Sequence, residues 1–160
     1  MRLRKILIPL DGSRLAESAL SEAIQLSGAG AALVLLRAAE AARVPMSDPT
    51  EAQVAVVREA EAYLEGVADR ARAAGVAKVE TSVWYGPASE AIVEAARVRG
   101  IDLIVMSSHG RSGLGRLIFG SVAETVLRGT TTPILLIRSN GAPVDDISAA
   151  GARAAEMSRV

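Results

Sequence analysis

There is no cysteine among the 160 residues. Disulfides, thiolate nucleophiles and thiolate zinc sites are therefore excluded together. Aromatic residues make up only 2%, too few for a stacking platform on single-stranded nucleic acid. His109 is the single histidine, so a two-histidine metal site cannot be assembled. Net charge is missing as well, because 18 basic and 18 acidic residues cancel. A neutral chain carries no strong electrostatic bias toward nucleic acid or anionic membranes. No apolar stretch approaches the roughly 20 residues of a membrane span. The opening MRLRKILIPLDGS has an apolar run too short for a signal peptide, interrupted by Pro9 and ended by Asp11. The expectation is a cytoplasmic protein with no nucleic-acid and no membrane partner.

What is present is apolar. Half of the residues are hydrophobic, enough for one full core, and the length suits one domain. Compact apolar runs lie at 5–10 (KILIPL), 32–37 (ALVLLR), 103–106 (LIVM) and 134–137 (ILLI). Apolar residues on consecutive positions are the pattern of strands covered on both faces. Residues 78–85 differ: Val79, Thr81, Val83 and Tyr85 alternate with Lys78, Glu80, Ser82 and Trp84. A period of two predicts an edge strand with one wetter face. Helical patterns fill the gaps. One covers 14–27 and stops at Gly28 and Gly30; a long one covers 51–74, with Val54, Val57, Leu64 and Val67 toward a core. A third covers 88–99 with Pro87 in its first turn, and a fourth covers 121–128. The order β-α-β-α-β-α-β-α-β predicts an α/β fold: a doubly wound parallel sheet with helices on both faces. Residues 40–50 read as a loop, and 139–160 as a tail, a short helix or disordered.

In such sheets ligands sit beyond the carboxyl ends of the strands, where strand order reverses. With the first strand central, the loops after strands one and four meet there. They are Asp11-Gly12-Ser13 and the glycine-rich 107–121, SSHGRSGLGRLIFGS. Glycines let backbone amides approach an anion closely. Ser121 begins Ser-Val-Ala-Glu, which reads as a capping box with Glu124 three residues on. A helix N-terminus attracts phosphate; the competing reading is that Gly120 and Ser121 only turn and cap the helix. Asp11 also has two readings. It is an Asx turn or N-cap, or a carboxylate for a ribose hydroxyl or a phosphate-bound cation. Pro9 removes a ladder donor, which suits the place where pairing ends and a cleft begins.

Other phosphate and catalytic motifs fail on inspection. Gly110 and Gly115 have P-loop separation, but Arg116-Leu117 replace the Lys-Ser/Thr pair. Ile118 stands where a dinucleotide fingerprint needs its third glycine. A nucleophile elbow around Ser112 lacks its final glycine. His109 reads as a loop-shaping residue, since adjacent Ser108 and His109 are poorly placed to act as nucleophile and base. No catalytic residue is evident.

Residues 6–13 (ILIPLDGS), 102–113 (DLIVMSSHGRSG), 120–124 (GSVAE) and 133–138 (PILLIR) together resemble the universal stress protein family. The resemblance covers residues 1–138. It implies a single five-stranded parallel sheet ordered 3-2-1-4-5, an adenine nucleotide site, and a homodimer. The ATP-binding branch has a glycine, two residues, a glycine, nine residues, then Gly-Ser or Gly-Thr. Here Gly110 and Gly120-Ser121 match, while Ser107 replaces the first glycine. Carried over by position, Pro9 and Asp11 lie by the nucleoside, and Asp11 is an indirect partner of phosphate-bound Mg2+. Ala38 faces the adenine through its backbone. Met106 and Ser107 flank the ribose, and Gly110, Gly120, Ser121 and Val122 hold phosphates. Arg111 and Arg116 add positive charge there or are solvated loop residues. The implied function is ATP, ADP or AMP binding in stress response or signalling, without fast turnover. Two alternatives stand beside it: a dimeric interaction module without ATP, favoured by Ser107, and a slow ATPase. The family topology makes strand five an edge, and an apolar open edge needs cover. Pairing of Ile134–Ile137 with a second copy supplies it; the alternative cover is the tail 139–160.

Overall fold

The computed structural model describes residues 3–28, 30–40, 48–108 and 120–138. The chain alternates five strands with four helices: β1 (Lys5–Pro9), α1 (Arg14–Ser27), β2 (Ala32–Ala39), α2 (Pro49–Ala73), β3 (Val79–Tyr85), α3 (Ala88–Val98), β4 (Leu103–Ser107), α4 (Ser121–Gly129) and β5 (Ile134–Ile137). All strand pairs are parallel, in the order β3-β2-β1-β4-β5. The expected topology is therefore observed, with β3 and β5 at the edges.

The consecutive apolar runs of β1, β2 and β4 serve a sheet that is covered twice, whereas β5, expected to be covered on both faces, has no buried residue because it ends the sheet. Ile6, Leu7 and Ile8 are all fully buried, yet they point to opposite faces. Ile6 and Ile8 join Leu33, Leu35 and Val105 under α1 and α2, where Leu64 and Val67 pack. Leu7 joins Val34, Leu36 and Ile104 under α3 and α4, where Ile92 and Val126 pack. Small residues such as Ala19, Ala23, Ala68 and Ala71 on one side, and Ala91, Ala95 and Ala96 on the other, let the helices sit close on the sheet.

Local chemistry sets the helix ends. Ser13 caps α1, its Oγ accepting from the Ala16 amide at 3.1 Å. Asp48 caps α2, which begins at Pro49, two residues before the expected start. Pro87 stands at the N-cap of α3 rather than inside its first turn. Two expectations about packing are corrected. Val54 of α2 is 44% exposed and Val57 is half-buried, because the buried stripe of this long helix begins only at Ala60. Tyr85 is also exposed, since it lies at the last position of an edge strand.

Among the described residues no helix is long and apolar enough to cross a membrane. The expected tail 139–160 lies outside the described residues.

Candidate functional site

β1 and β4 part company early. Their register pairs end at Leu7↔Ile104, whereas β1 and β2 stay paired to Pro9↔Leu36. Hydrogen-bonding groups alternate in direction along a strand. Leu10 donates to Leu36 O at 2.8 Å on the β2 side, so the nitrogen of Pro9 faces β4. Proline has no donor to offer there. The expectation that Pro9 stands where pairing ends is met.

A cleft of about 260 Å³ opens at this point, beyond the carboxyl ends of the strands. Each wall comes from a different element. Pro9, Leu10 and Asp11 come from the end of β1, and Leu36 and Ala38 from β2. Met106, Ser107 and Ser108 come from the end of β4. Ala88 and Ile92 come from α3, Ala16 from α1, and residues 120–123 from the start of α4. The volume falls just below the roughly 300–1,000 Å³ of small-ligand pockets.

Most of the lining is apolar, with a few polar groups in fixed places. Asp11 Oδ1 accepts from the Ser13 amide at 2.9 Å, an Asx turn. The turn also uses Gly12 at φ 84, a backbone conformation that glycine adopts without strain. Among the described residues Asp11 is the one carboxylate lining the cleft. Across from it, Gly120 N donates to Ser108 O at 2.7 Å, tying the start of α4 to the end of β4. Ser107 and Ser108 are both buried, at 8% and 1% exposure.

The capping box expected at Ser121 is not what forms. Gly120 is the N-cap, with no side-chain cap bond, and Ser121 is the first helical residue. The Glu124 carboxylate pairs with Arg128 at 2.9 Å and does not reach back over the turn. The sequence pattern misled by one position because the chain is already helical at Ser121. The consequence for the site is direct. The amides of Ser121, Val122 and Ala123 belong to the first turn, which has no intrahelical acceptors, and all three residues line the cleft. They present the positive end of the helix dipole to it.

Of the residues singled out in the sequence, Pro9, Asp11, Ala38, Met106, Ser107, Gly120, Ser121 and Val122 all line this one cleft. Gly110, Arg111 and Arg116 lie outside the described residues, as does His109. Leu10, Ala16, Leu36, Ala88, Ile92 and Ala123 line the cleft without having been singled out, and so does Ser108, weighed only as a nucleophile beside His109. Six of these seven are apolar residues of the kind that also fill the core, so nothing in their type marks them. Among the described residues no group of three or more acidic or histidine side chains is placed to hold a metal ion.

A sequence model of the universal stress protein family matches residues 2–138. The chain belongs to the universal stress protein family. Universal stress protein YxiE of Bacillus subtilis is 32% identical over 84% of this chain and 98% of its own length. The solved structure of MJ0577, a universal stress protein of Methanocaldococcus jannaschii, superposes with a TM-score of 0.78 at 26% identity. That match covers 88% of this chain and 99% of the other. A universal stress protein solved in complex with cAMP superposes with a TM-score of 0.67 at 28% identity, covering 86% and 98%.

Proposed function

We propose that the cleft binds an adenine nucleotide, ATP or its shorter relatives, and that the protein acts as a nucleotide-responsive stress or signalling protein. The observation that carries this reading is the convergence of eight separately named positions on one cleft at the sheet's reversal point. The chemistry of the walls suits the parts of a nucleotide. Leu36, Ala38, Ile92 and Met106 offer apolar surface for a base. Asp11 offers an acceptor for ribose hydroxyls. The first-turn amides of α4 offer donors and a favourable dipole for phosphate oxygens. Gly110, Arg111 and Arg116 are proposed to complete the phosphate side. Mg2+ would be held by the nucleotide's phosphates, with Asp11 as an outer partner, since magnesium commonly uses one or two carboxylates plus phosphates. The bound ion would neutralise phosphate charge. The family relative in complex with cAMP supports an adenine-type ligand.

Isothermal calorimetry with ATP and magnesium tests the reading. Saturable heat, together with an upward thermal shift, is expected. No heat and no shift at millimolar ATP would defeat it. Mass spectrometry of the purified protein, looking for co-purified adenine nucleotide, is the quicker check. Slow hydrolysis is tested by phosphate release beside an Asp11→Ala control, with a background rate expected in both.

Ser107 favours a second reading, a family member that pairs and signals without nucleotide. It lines the cleft where the ATP-binding pattern has glycine. In both readings we propose a cytoplasmic homodimer joined through β5. Leu135 of that strand is 36% exposed, and β5 is an edge strand of the sheet.

A further inference from the structure

We propose a second binding site at the opposite end of the strands, for a small phosphate-bearing anion. A cleft of about 500 Å³ lies at the amino ends of β1, β2 and β3. Among the described residues lining it, four are cations, Arg4, Lys5, Lys78 and Arg99, against one carboxylate, Glu80. That concentration is out of proportion in a chain of zero net charge.

Strand register explains why the cations meet. Lys5 pairs with Ala32, and Leu33 pairs with Val79, so Lys78 lies beside Ala32 in the next strand. The Ala32 amide donates to Arg4 O at 2.8 Å and the Leu33 amide to Lys78 O at 2.9 Å, which fixes the row. Lys5 and Lys78 thus flank a small alanine, two strands or roughly 10 Å apart. Arg99, the C-cap of α3, closes the far side.

The nearby acids are mostly committed. Asp102 Oδ2 accepts from the amides of Arg4 and Lys5 at 2.8 and 2.9 Å, so it is turned to the backbone. Glu80 pairs with Arg99 at 3.2 Å, and Arg99 also donates to Ser82 Oγ at 3.1 Å. The C-terminus of α3 adds partial negative charge, which Arg99 offsets. Lys5 and Lys78 enter no ion pair among the described residues. Like charges within about 10 Å repel at ordinary ionic strength, and a bound anion relieves that repulsion.

The composition of the lining suits one ligand class. Gly30 and Gly100 form part of the wall, and a Cβ on either would meet nothing within 4 Å. Bare backbone beside lysines suits tetrahedral oxyanions. Among the described residues no aromatic side chain lines the cleft, so they offer no platform for stacked bases. A phosphate monoester or pyrophosphate fits this set better than nucleic acid.

The test is a titration of the full chain, labelled with nitrogen-15, by inorganic pyrophosphate at constant ionic strength. Saturable shifts are expected at the amides of Gly30, Ala32 and Gly100. Lys5→Ala with Lys78→Ala should weaken binding about tenfold or more. Glu80→Gln should tighten it several-fold by freeing Arg99, an effect that a merely structural pair would not produce. Gly120→Val, in the other cleft, should leave it unchanged. If the double variant unfolds, Lys78→Gln alone, at an exposed position, carries the comparison. Shifts confined to residues around Gly12 and Gly120 would overturn the proposal. So would shifts that never saturate, or full affinity in a folded lysine variant.

Discussion

Gly120 separates two uses of glycine. Its φ of −69° and ψ of 156° are open to any residue, so conformation does not require glycine there. In the proposed nucleotide site close approach of a phosphate would, because Gly120 lines the cleft at the start of α4. Gly120→Val should therefore lower ATP affinity at least tenfold, read by calorimetry, while the protein stays folded with the modest loss in thermal midpoint expected of valine at an N-cap. Unchanged affinity would move the nucleotide site elsewhere. Ser107 is the converse case. It sits at the end of β4, 8% exposed, on the cleft wall. Ser107→Gly removes a hydroxymethyl group from that wall and should raise ATP affinity. It should also lower stability by about 0.5–1 kcal/mol, the usual cost of glycine inside a strand or helix. Calorimetry and chemical denaturation read the two effects separately.

Elements meet at the site because of how their ends are tied. The amino end of β1 is held by Asp102, whose carboxylate accepts two backbone amides. Those bonds, first from Arg4 and then from Lys5, lower its pKa below the ordinary value of 3.8. A lowered folded pKa means the stabilisation is full above 3.8 and is lost as pH falls through the folded value. Urea midpoints at about pH 5 and about pH 3 should therefore fall more steeply in the parent than in Asp102→Asn. Equal slopes would remove Asp102 from the account. On the other face, Tyr63 of α2 donates to Glu17 of α1 at 2.9 Å. Burial first, and then the Glu17 carboxylate, push the Tyr63 hydroxyl well above the usual tyrosine range. The Arg37 guanidinium lies 4.7 Å from the Tyr63 ring centroid, so α1, α2 and β2 are linked next to Ala38 on the cleft.

For the whole molecule, the open question in the sheet is its β5 edge. A dimer through β5 should sediment as two copies at micromolar concentration, and Leu135→Asp should shift it to one. A parent protein that sediments as a monomer would exclude that interface. Much of the architecture was legible beforehand. β1, β2 and β4 announce themselves as consecutive apolar residues because a doubly covered sheet buries both faces; β5 reads the same way, yet it is an edge strand with no buried residue. β3 announces itself by alternation because it is an edge. Phase along the helices was less legible. Val54 reads as core-facing yet is 44% exposed, since the buried stripe of α2 begins only at Ala60. The cap of α4 was misplaced because Ser121 and Gly120 both suit a helix start, and only backbone geometry decides between them.

The order of elements, the parallel sheet and the polar half of the candidate cleft follow from the sequence itself. Apolar runs, glycines and Asp11 carry their meaning locally. The apolar half of the cleft, Leu10, Leu36, Ala88 and Ile92, was decided only by the tertiary structure. So was the row of Lys5, Ala32 and Lys78 at the far end of the strands. The physical reason is the same in both cases. An apolar wall has the composition of a core, and a lysine row has the composition of a surface. Only the parting of β1 from β4, and the register of β1, β2 and β3, assign them a place.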